Sequence, residues 1–238
     1  MNGATSIAVN ALLSVRDLSV ALTSTGAVLS PAVSFSLGTG ESLALVGNSG
    51  SGKTLCVSAI LGLLDRRSFR VSGQALLDGR ELLTLREREM RAIRGGLIAL
   101  IPQNPMTAFD PGVRIGAQIT ETVRAHRPQS AAAARAAADT ALAALGLPRE
   151  VTRAYPHTLS GGMLQRIAIA IALILEPRLV IADEATTALD VINSRIVLDE
   201  LLRLKARGTA LLLITHNARE AEYCGCKIVH MGGDAGEA

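Results

Sequence analysis

Aromatic side chains are almost missing from this chain: there is no tryptophan, and two tyrosines and three phenylalanines make up 2% of its 238 residues. A core built around large rings is thereby excluded. With hydrophobic residues at 49%, the interior must be aliphatic and rich in alanine. Cysteine is also scarce: Cys56, Cys224 and Cys226 do not make a disulfide framework. Cys224 and Cys226 with His230 nearby fall short of the tetrahedral ligand set of a structural metal site, so ordinary thiols are the favoured reading. No stretch approaches the ~20 apolar residues needed to span a bilayer. The strongest apolar run, Ile167 to Leu175, is cut by Glu176-Pro177. Neither sign of charge dominates, and a formal net charge of +3 is too mild to imply a nucleic-acid partner, though it suits a phosphate ligand. Charged residues at 19% argue for a folded chain rather than a disordered one. The opening MNGATSIAVN lacks a basic region ahead of an apolar block, so the expectation is a cytosolic chain without a secretory signal.

What is present is organised as strands alternating with helices. Leu12 to Val20 and Ala32 to Leu37 read as early strands, and Gly38, Gly40 and Glu41 as a turn before a third apolar run, Leu43 to Val46. Ser72-Gly73 and Asp78-Gly79 punctuate a hairpin-like segment. Leu85 to Arg94 has helical spacing with a solvated charged face, and Leu97 to Ile101 is a compact strand. From Ile115 to Leu147 the pattern becomes helical, with alanine dominating Ser130 to Ala144, and this insertion ends around Pro148 to Pro156. Leu179 to Ala182 and Ala210 to Thr215 are further short strands, separated by a helix with Val197, Leu201 and Leu204 on one face. The pattern implies a mainly parallel sheet covered by helices.

Into this frame falls the octapeptide Gly47-Asn48-Ser49-Gly50-Ser51-Gly52-Lys53-Thr54, with the spacing G-x-x-x-x-G-K-T. Such a loop turns successive backbone N–H groups into one concavity that cradles phosphate oxygens. An apolar strand precedes it and a helix-compatible run follows from Leu55, which is the context that makes the pattern a site. A chance match in a chain of this length is on the order of one in a hundred. Lys53 is expected to set its charge against the β- and γ-phosphates, and the Thr54 hydroxyl to ligate Mg²⁺. Glycine at 47, 50 and 52 permits the close backbone approach that a side chain would block.

Two further segments carry chemistry. The run Leu179-Val180-Ile181-Ala182-Asp183-Glu184 delivers two acids at a strand's C-terminal end, where ligands of parallel sheets bind. Asp183 fits a magnesium-side carboxylate, and Glu184 a base that polarises an attacking water. Acids at strand ends are common, and the phosphate loop upstream is what gives this pair weight. Leu159-Ser160-Gly161-Gly162-Met163 precedes a helix from Leu164 to Leu175, with Ser160 as N-cap and two glycines baring N–H groups at the positive helix end. Taken alone, that is a capped helix; beside the first phosphate site it reads as a second anion site.

The phosphate loop, Gln103 after a strand, LSGGMLQR, LVIADEATTALD and Thr215-His216 occur in the order found in ATP-binding-cassette ATPases, and the resemblance covers nearly the whole chain. It implies a P-loop NTPase core with an N-terminal antiparallel β part and an inserted helical subdomain at about 104–158, all within a single ATPase domain spanning 1–238. It implies ATP and Mg²⁺ as cofactors. Thr54, Gln103 and Asp183 fall on the magnesium, Glu184, His216 and Lys53 on the chemistry, and Gln103 also links the nucleotide to the helical insertion. Ser160, Gly161 and Gly162 would complete the ATP site of the opposite subunit, and Asp190 would touch that subunit. The implied partners are a second ATPase chain, by resemblance a paralogue, two membrane permeases and an extracytoplasmic substrate-binding protein, with no nucleic acid. The implied place is the cytoplasmic face of the inner membrane, as a peripheral protein.

Gln103-Asn104-Pro105-Met106-Thr107-Ala108-Phe109-Asp110-Pro111 and SGGMLQR are similar to the nickel, dipeptide and oligopeptide importer branch. Met163 and the short ending after Met231 lean towards nickel uptake, with dipeptide or oligopeptide import as the alternative. A non-transport cassette protein, a structural subunit of a cytosolic complex, is a third reading. Three features depart from the family pattern. The aromatic expected to stack on adenine is missing, with Leu22 its nearest stand-in; Ala185 replaces the usual proline; and the ending MGGDAGEA is short and glycine-rich.

Overall fold

The computed structural model describes residues 11–232, so the decapeptide read for a signal, and all of MGGDAGEA beyond Gly232, lie outside the described residues. In chain order the elements are β1 (Leu13–Leu22), β2 (Val28–Leu37), β3 (Ser42–Val46), α1 (Lys53–Ile60), β4 (Phe69–Leu77), β5 (Arg80–Glu81), α2 (Glu87–Ile93) and β6 (Ile98–Ile101). They continue with α3 (Ile115–His126), α4 (Ala131–Ala144), α5 (Gly161–Leu175), β7 (Leu179–Asp183), α6 (Val191–Ala206), β8 (Ala210–Thr215), α7 (Ala218–Tyr223) and β9 (Lys227–His230). The backbone forms two compact units: the described residues up to Arg91 with those from Leu212 onward, and Ala92–Leu211.

The first unit carries an antiparallel sheet ordered β2-β1-β4-β5. β1 is an inner strand, and its Leu13, Val15, Leu18 and Val20 are buried. The register slips around Asp17, where Gly73 of β4 lies so close that a Cβ would stand 2.4 Å from the Asp17 carbonyl oxygen. Glycine is thus the residue that lets the two strands meet at this bulge. Asp78 and Gly79 join β4 to β5, both with positive φ (49° and 76°), as a two-residue hairpin turn requires. β2 begins at Val28 rather than Ala32 and runs through Pro31, because it is an edge strand and a missing N–H costs no ladder bond on an outer side. In the same unit β3 pairs in parallel with β9, a strand too short and too mixed in polarity to stand out in the sequence.

The second unit pairs β6 with β7 in parallel, both apolar, with all of β7 buried. Between them the segment 104–158 contains helices and 3-10 turns and no strand. α3 buries Ile115, Ile119 and Val123, one side chain per turn, and α4 buries Ala134, Ala138, Ala141 and Leu142. Ser130 caps α4 by accepting from the Ala133 N–H at 3.1 Å. α5 is apolar on nearly every side and packs nine buried residues, while α6 turns Val197, Leu198, Leu201 and Leu204 inward. Only Phe35 and Phe109 add rings to the described hydrophobic core, which is otherwise aliphatic. An antiparallel part near the N-terminus, parallel strands flanked by helices and an inserted helical segment are the fold class expected from the sequence.

Candidate functional site

In the first unit, β3 runs into the loop 47–52 and α1 starts directly at Lys53. The Met231 N–H donates to the Val46 carbonyl at 2.8 Å, which brings the chain end of β9 against the loop. A Cβ on Gly47 would lie 2.3 Å from the Met231 carbonyl oxygen, so only glycine fits there. Gly52, at φ 89°, would meet the Leu29 carbonyl oxygen at 2.6 Å. The Ser51 N–H closes a turn onto the Asn48 carbonyl at 3.1 Å. Lys53 is 5% exposed, and its ammonium donates to the Gly47 carbonyl (2.7 Å), the Asn48 carbonyl (2.8 Å) and the Ser51 hydroxyl (3.2 Å). All three of its donors are in use within the loop it is expected to serve. Thr54 begins the exposed side of α1. His216 is exposed, just past the end of β8, where Thr215 and Asn217 are fixed by bonds to each other and to Glu220.

In the second unit, β7 ends on Asp183, which is 4% exposed, and the chain turns at Glu184 with φ 46°, a left-handed conformation uncommon for a residue with a side chain. Gln103, just past β6, donates Nε2 to Glu184 Oε2 at 2.8 Å. Thr187 donates its hydroxyl to the same oxygen at 3.4 Å. Two residues expected to act at one nucleotide are therefore in direct contact, although 81 positions apart. Ser160 caps α5 through Met163 N–H at 3.3 Å, and the helix starts at Gly161 rather than Leu164. A Cβ on Gly161 would touch nothing within 4 Å, whereas one on Gly162 would press on Leu189 at 3.1 Å and on the Ala188 carbonyl at 3.2 Å. Asp190 caps α6: its carboxylate accepts from the Asn193 backbone N–H at 2.8 Å and the Asn193 amide at 2.7 Å. The backbone bond from Asn193 is the main reason its carboxyl group sits below the usual carboxylate range.

The donors named for magnesium are oxygens: the Thr54 hydroxyl, the Asp183 carboxylate and the Gln103 amide oxygen, since Glu184 takes the amide nitrogen. Among the described residues no group of three or more His, Cys, Asp or Glu could hold a metal, which covers Cys224, Cys226 and His230. Magnesium needs no such group, because it is held by few side chains together with substrate phosphates. A cleft of about 1130 Å³ lies elsewhere in the second unit, against α3, α4 and residues 149–153, and none of the residues above lines it. Two contributors escaped sequence reasoning. Thr187 gave no signal, but Gln165 did: it is the uncharged polar side chain in the otherwise apolar inner face of α5.

A strand, glycine loop and helix start around a buried lysine, with a second apolar strand ending in Asp-Glu, define a P-loop nucleotide-binding protein. The family model described as ABC transporter matches residues 31–187, and the chain belongs to that family. It is 47% identical over 212 residues to the peptidoglycan transport ATP-binding protein YejF of Agrobacterium fabrum, covering 87% of this chain and 39% of that one. It is 41% identical to the oligopeptide transport ATP-binding protein OppD of Salmonella typhimurium (87% and 63% covered). With the metal-staphylopine import system ATP-binding protein CntD of Staphylococcus aureus it shares 39% identity (87% and 77%). The chain thus spans 39% to 63% of the length of the first two relatives. A dimeric structure of the ATP-binding cassette MJ0796, bound to ADP and Pi, superposes with a TM-score of 0.82 over 92% of this chain and 94% of that one, at 23% identity, a likeness of fold.

Proposed function

We propose that this chain is an ATP hydrolase that energises an import system of the peptide-importer branch. The observation that carries the reading is the Gln103–Glu184 hydrogen bond of 2.8 Å at the end of a buried strand. A carboxylate kept in place by an amide donor has the geometry of a fixed general base, able to take a proton from water as that water attacks the terminal phosphate. Lys53 supplies positive charge to the β- and γ-phosphates and His216 a contact to the γ-phosphate. Magnesium, held through Thr54, Asp183 and Gln103, would neutralise charge on the phosphate oxygens. Ser160, Gly161 and Gly162 serve the nucleotide of a second ATPase chain, and Asp190 lies at the same contact.

Binding energy from the nucleotides closes the two ATPase chains, and hydrolysis reopens them, with the helical segment passing the motion to two permeases. An extracytoplasmic binding protein supplies the cargo. No helix among the described residues is long and apolar enough to cross a membrane, which fits a peripheral subunit on the cytoplasmic face. For the cargo, support moves from nickel to the peptide alternative, since relatives at 41–44% identity are named for oligopeptide or dipeptide transport. The metal-staphylopine relative, of which the chain covers 77%, keeps a chelated metal as the second reading.

The test is uptake in a deletion strain, comparing a labelled tripeptide with labelled nickel, alongside co-purification of the tagged chain. Loss of peptide uptake and recovery of two membrane permeases support the reading. Recovery of a soluble multi-protein assembly, with both uptakes intact, would favour a structural subunit instead.

A further inference from the structure

We propose that Gln165 is a positioning residue that ties the LSGG helix α5 to the Pro102–Gln103 turn and, through Gln103, fixes the carboxylate of Glu184. The inference rests on the ATP-hydrolase reading above and extends it to a residue that reading leaves without a role. Gln165 is 1% exposed and donates its Nε2 to the Pro102 carbonyl at 3.2 Å. The orientation of its amide follows from chemistry, because an amide oxygen facing a carbonyl oxygen would repel it. Pro102 is the residue between the end of β6 and Gln103, and Gln103 in turn donates to Glu184 at 2.8 Å. A continuous path therefore runs from α5 through Gln165, Pro102 and Gln103 to Glu184, all inside the unit Ala92–Leu211.

The amide is a costly way to fill this space. The neighbours of Gln165 on the buried face of α5 include Leu164, Ile167, Ala168 and Ile169. A methionine or leucine would occupy a similar volume without desolvating an amide. Only one arm of that amide is repaid: Oε1 is buried and meets no donor among the described residues. A half-satisfied buried amide weakens a fold rather than strengthening it, so its place here is explained by what its donor holds. It holds the backbone carbonyl of the peptide bond that leads directly into Gln103. The N-terminal turn of the same helix carries Gly161 and Gly162, so the path joins the helix end that bears them to the turn that holds Glu184.

The experiment measures steady-state ATP hydrolysis and thermal unfolding of the full chain, assembled with its partner subunits where turnover needs them. Gln165→Leu and Gln165→Met, two variants of similar volume, are compared in the parental background and in a Gln103→Ala background. The expected result is a Tm no lower than the parent's and a kcat about tenfold lower with KM for ATP changed less than about twofold. In the Gln103→Ala background neither substitution should lower kcat further, because the path is already cut. Parental kcat in both variants overturns the inference. So does the same fold loss in both backgrounds, or a fall in Tm that accounts for the lost activity. A parent that binds ATP and never hydrolyses it would overturn the ATPase reading itself, and this inference with it; an active parent with unaffected variants overturns this inference alone.

Discussion

Glu184 and Gln103 share one hydrogen bond, Nε2 to Oε2 over 2.8 Å, and it is formed across 81 positions of sequence. Its chemistry predicts the behaviour of one substitution. A glutamine at 184 can still accept from Gln103 through its own amide oxygen, so Glu184→Gln should keep the turn and the Thr187 contact while losing the ability to take a proton. The variant should bind ATP with nearly parental affinity and turn over at least about a hundredfold more slowly. Binding of a fluorescent ATP analogue and phosphate release measured on the same preparation check it. Hydrolysis at the parental rate would remove Glu184 from the role of base.

Lys53 has spent its three donors on Gly47, Asn48 and Ser51, and in the proposed role phosphate oxygens take over at least one of them when nucleotide arrives. Lys53→Ala removes both the charge and the clasp on two loop carbonyls. We expect ATP affinity to fall by about tenfold or more, with AMP bound equally weakly by variant and parent, since the proposed role sets the charge against the β- and γ-phosphates. Calorimetric titration with the two nucleotides measures it. Unchanged ATP affinity would place the phosphates elsewhere.

Leu22 closes β1, half-buried, where the family resemblance expects an aromatic face for adenine. Stacking on a base is worth roughly 1–3 kcal/mol. Leu22→Tyr should therefore tighten ATP by about tenfold and leave inorganic triphosphate unaffected. If both ligands gain equally, or neither does, Leu22 does not lie under the base.

The legible and illegible parts of this chain divide by range. The phosphate loop, Ser160 as a cap and the acids ending β7 were readable because each depends on a short local pattern: glycine spacing, a hydroxyl before a helix, an apolar run ending in charge. β8 was found at its observed bounds for the same reason, an unbroken apolar run. β9 was missed: Lys227-Ile228-Val229-His230 is four residues long, and it exists because β3 offers it a parallel edge. Helix α7 escaped as well; its six residues depend on the Asn217 cap and on Glu220 reaching Thr215 and Asn217. The links from Gln103 to Glu184 and from Gln165 to Pro102 were beyond any local pattern, because tertiary folding alone brings those side chains together.

Cys56 lies two residues past Thr54 on the buried side of α1, and burial pushes its thiol from 9.0 up to about 12. At pH 8 roughly one molecule in ten thousand would carry the thiolate. Native protein should show no alkylation at Cys56 by N-ethylmaleimide over a time that fully labels the unfolded chain, read by peptide mass mapping. Because the thiol's folded pKa is raised, its effect on stability is flat below about pH 9. Above that the unfolded chain gives up the proton first, so stability should decline as pH climbs towards 12. Fast native labelling of Cys56 at pH 8 would contradict its burial.

Gly161 separates folding from function more sharply than any other glycine near the candidate site. It is the first residue of α5, capped by Ser160, and a methyl group added there meets nothing within 4 Å. Alanine is a better helix former than glycine by about 1 kcal/mol at most, so Gly161→Ala should leave Tm unchanged or raise it slightly. If α5 serves only its own chain, hydrolysis should be unaffected, for nothing in that chain is crowded by the new methyl. If the bare backbone N–H groups of this helix end approach the nucleotide of a second ATPase chain, the methyl intrudes there, and turnover should fall by about tenfold or more while ATP binding to the isolated chain stays intact. Gly162→Ala is the contrast, since it would press on Leu189 and Ala188 in its own chain and should lower Tm as well as activity. A Gly161→Ala protein as stable and as active as the parent would mean that the LSGG helix end does not read the partner's nucleotide, and the closing of two ATPase chains over shared ATP would lose its physical basis.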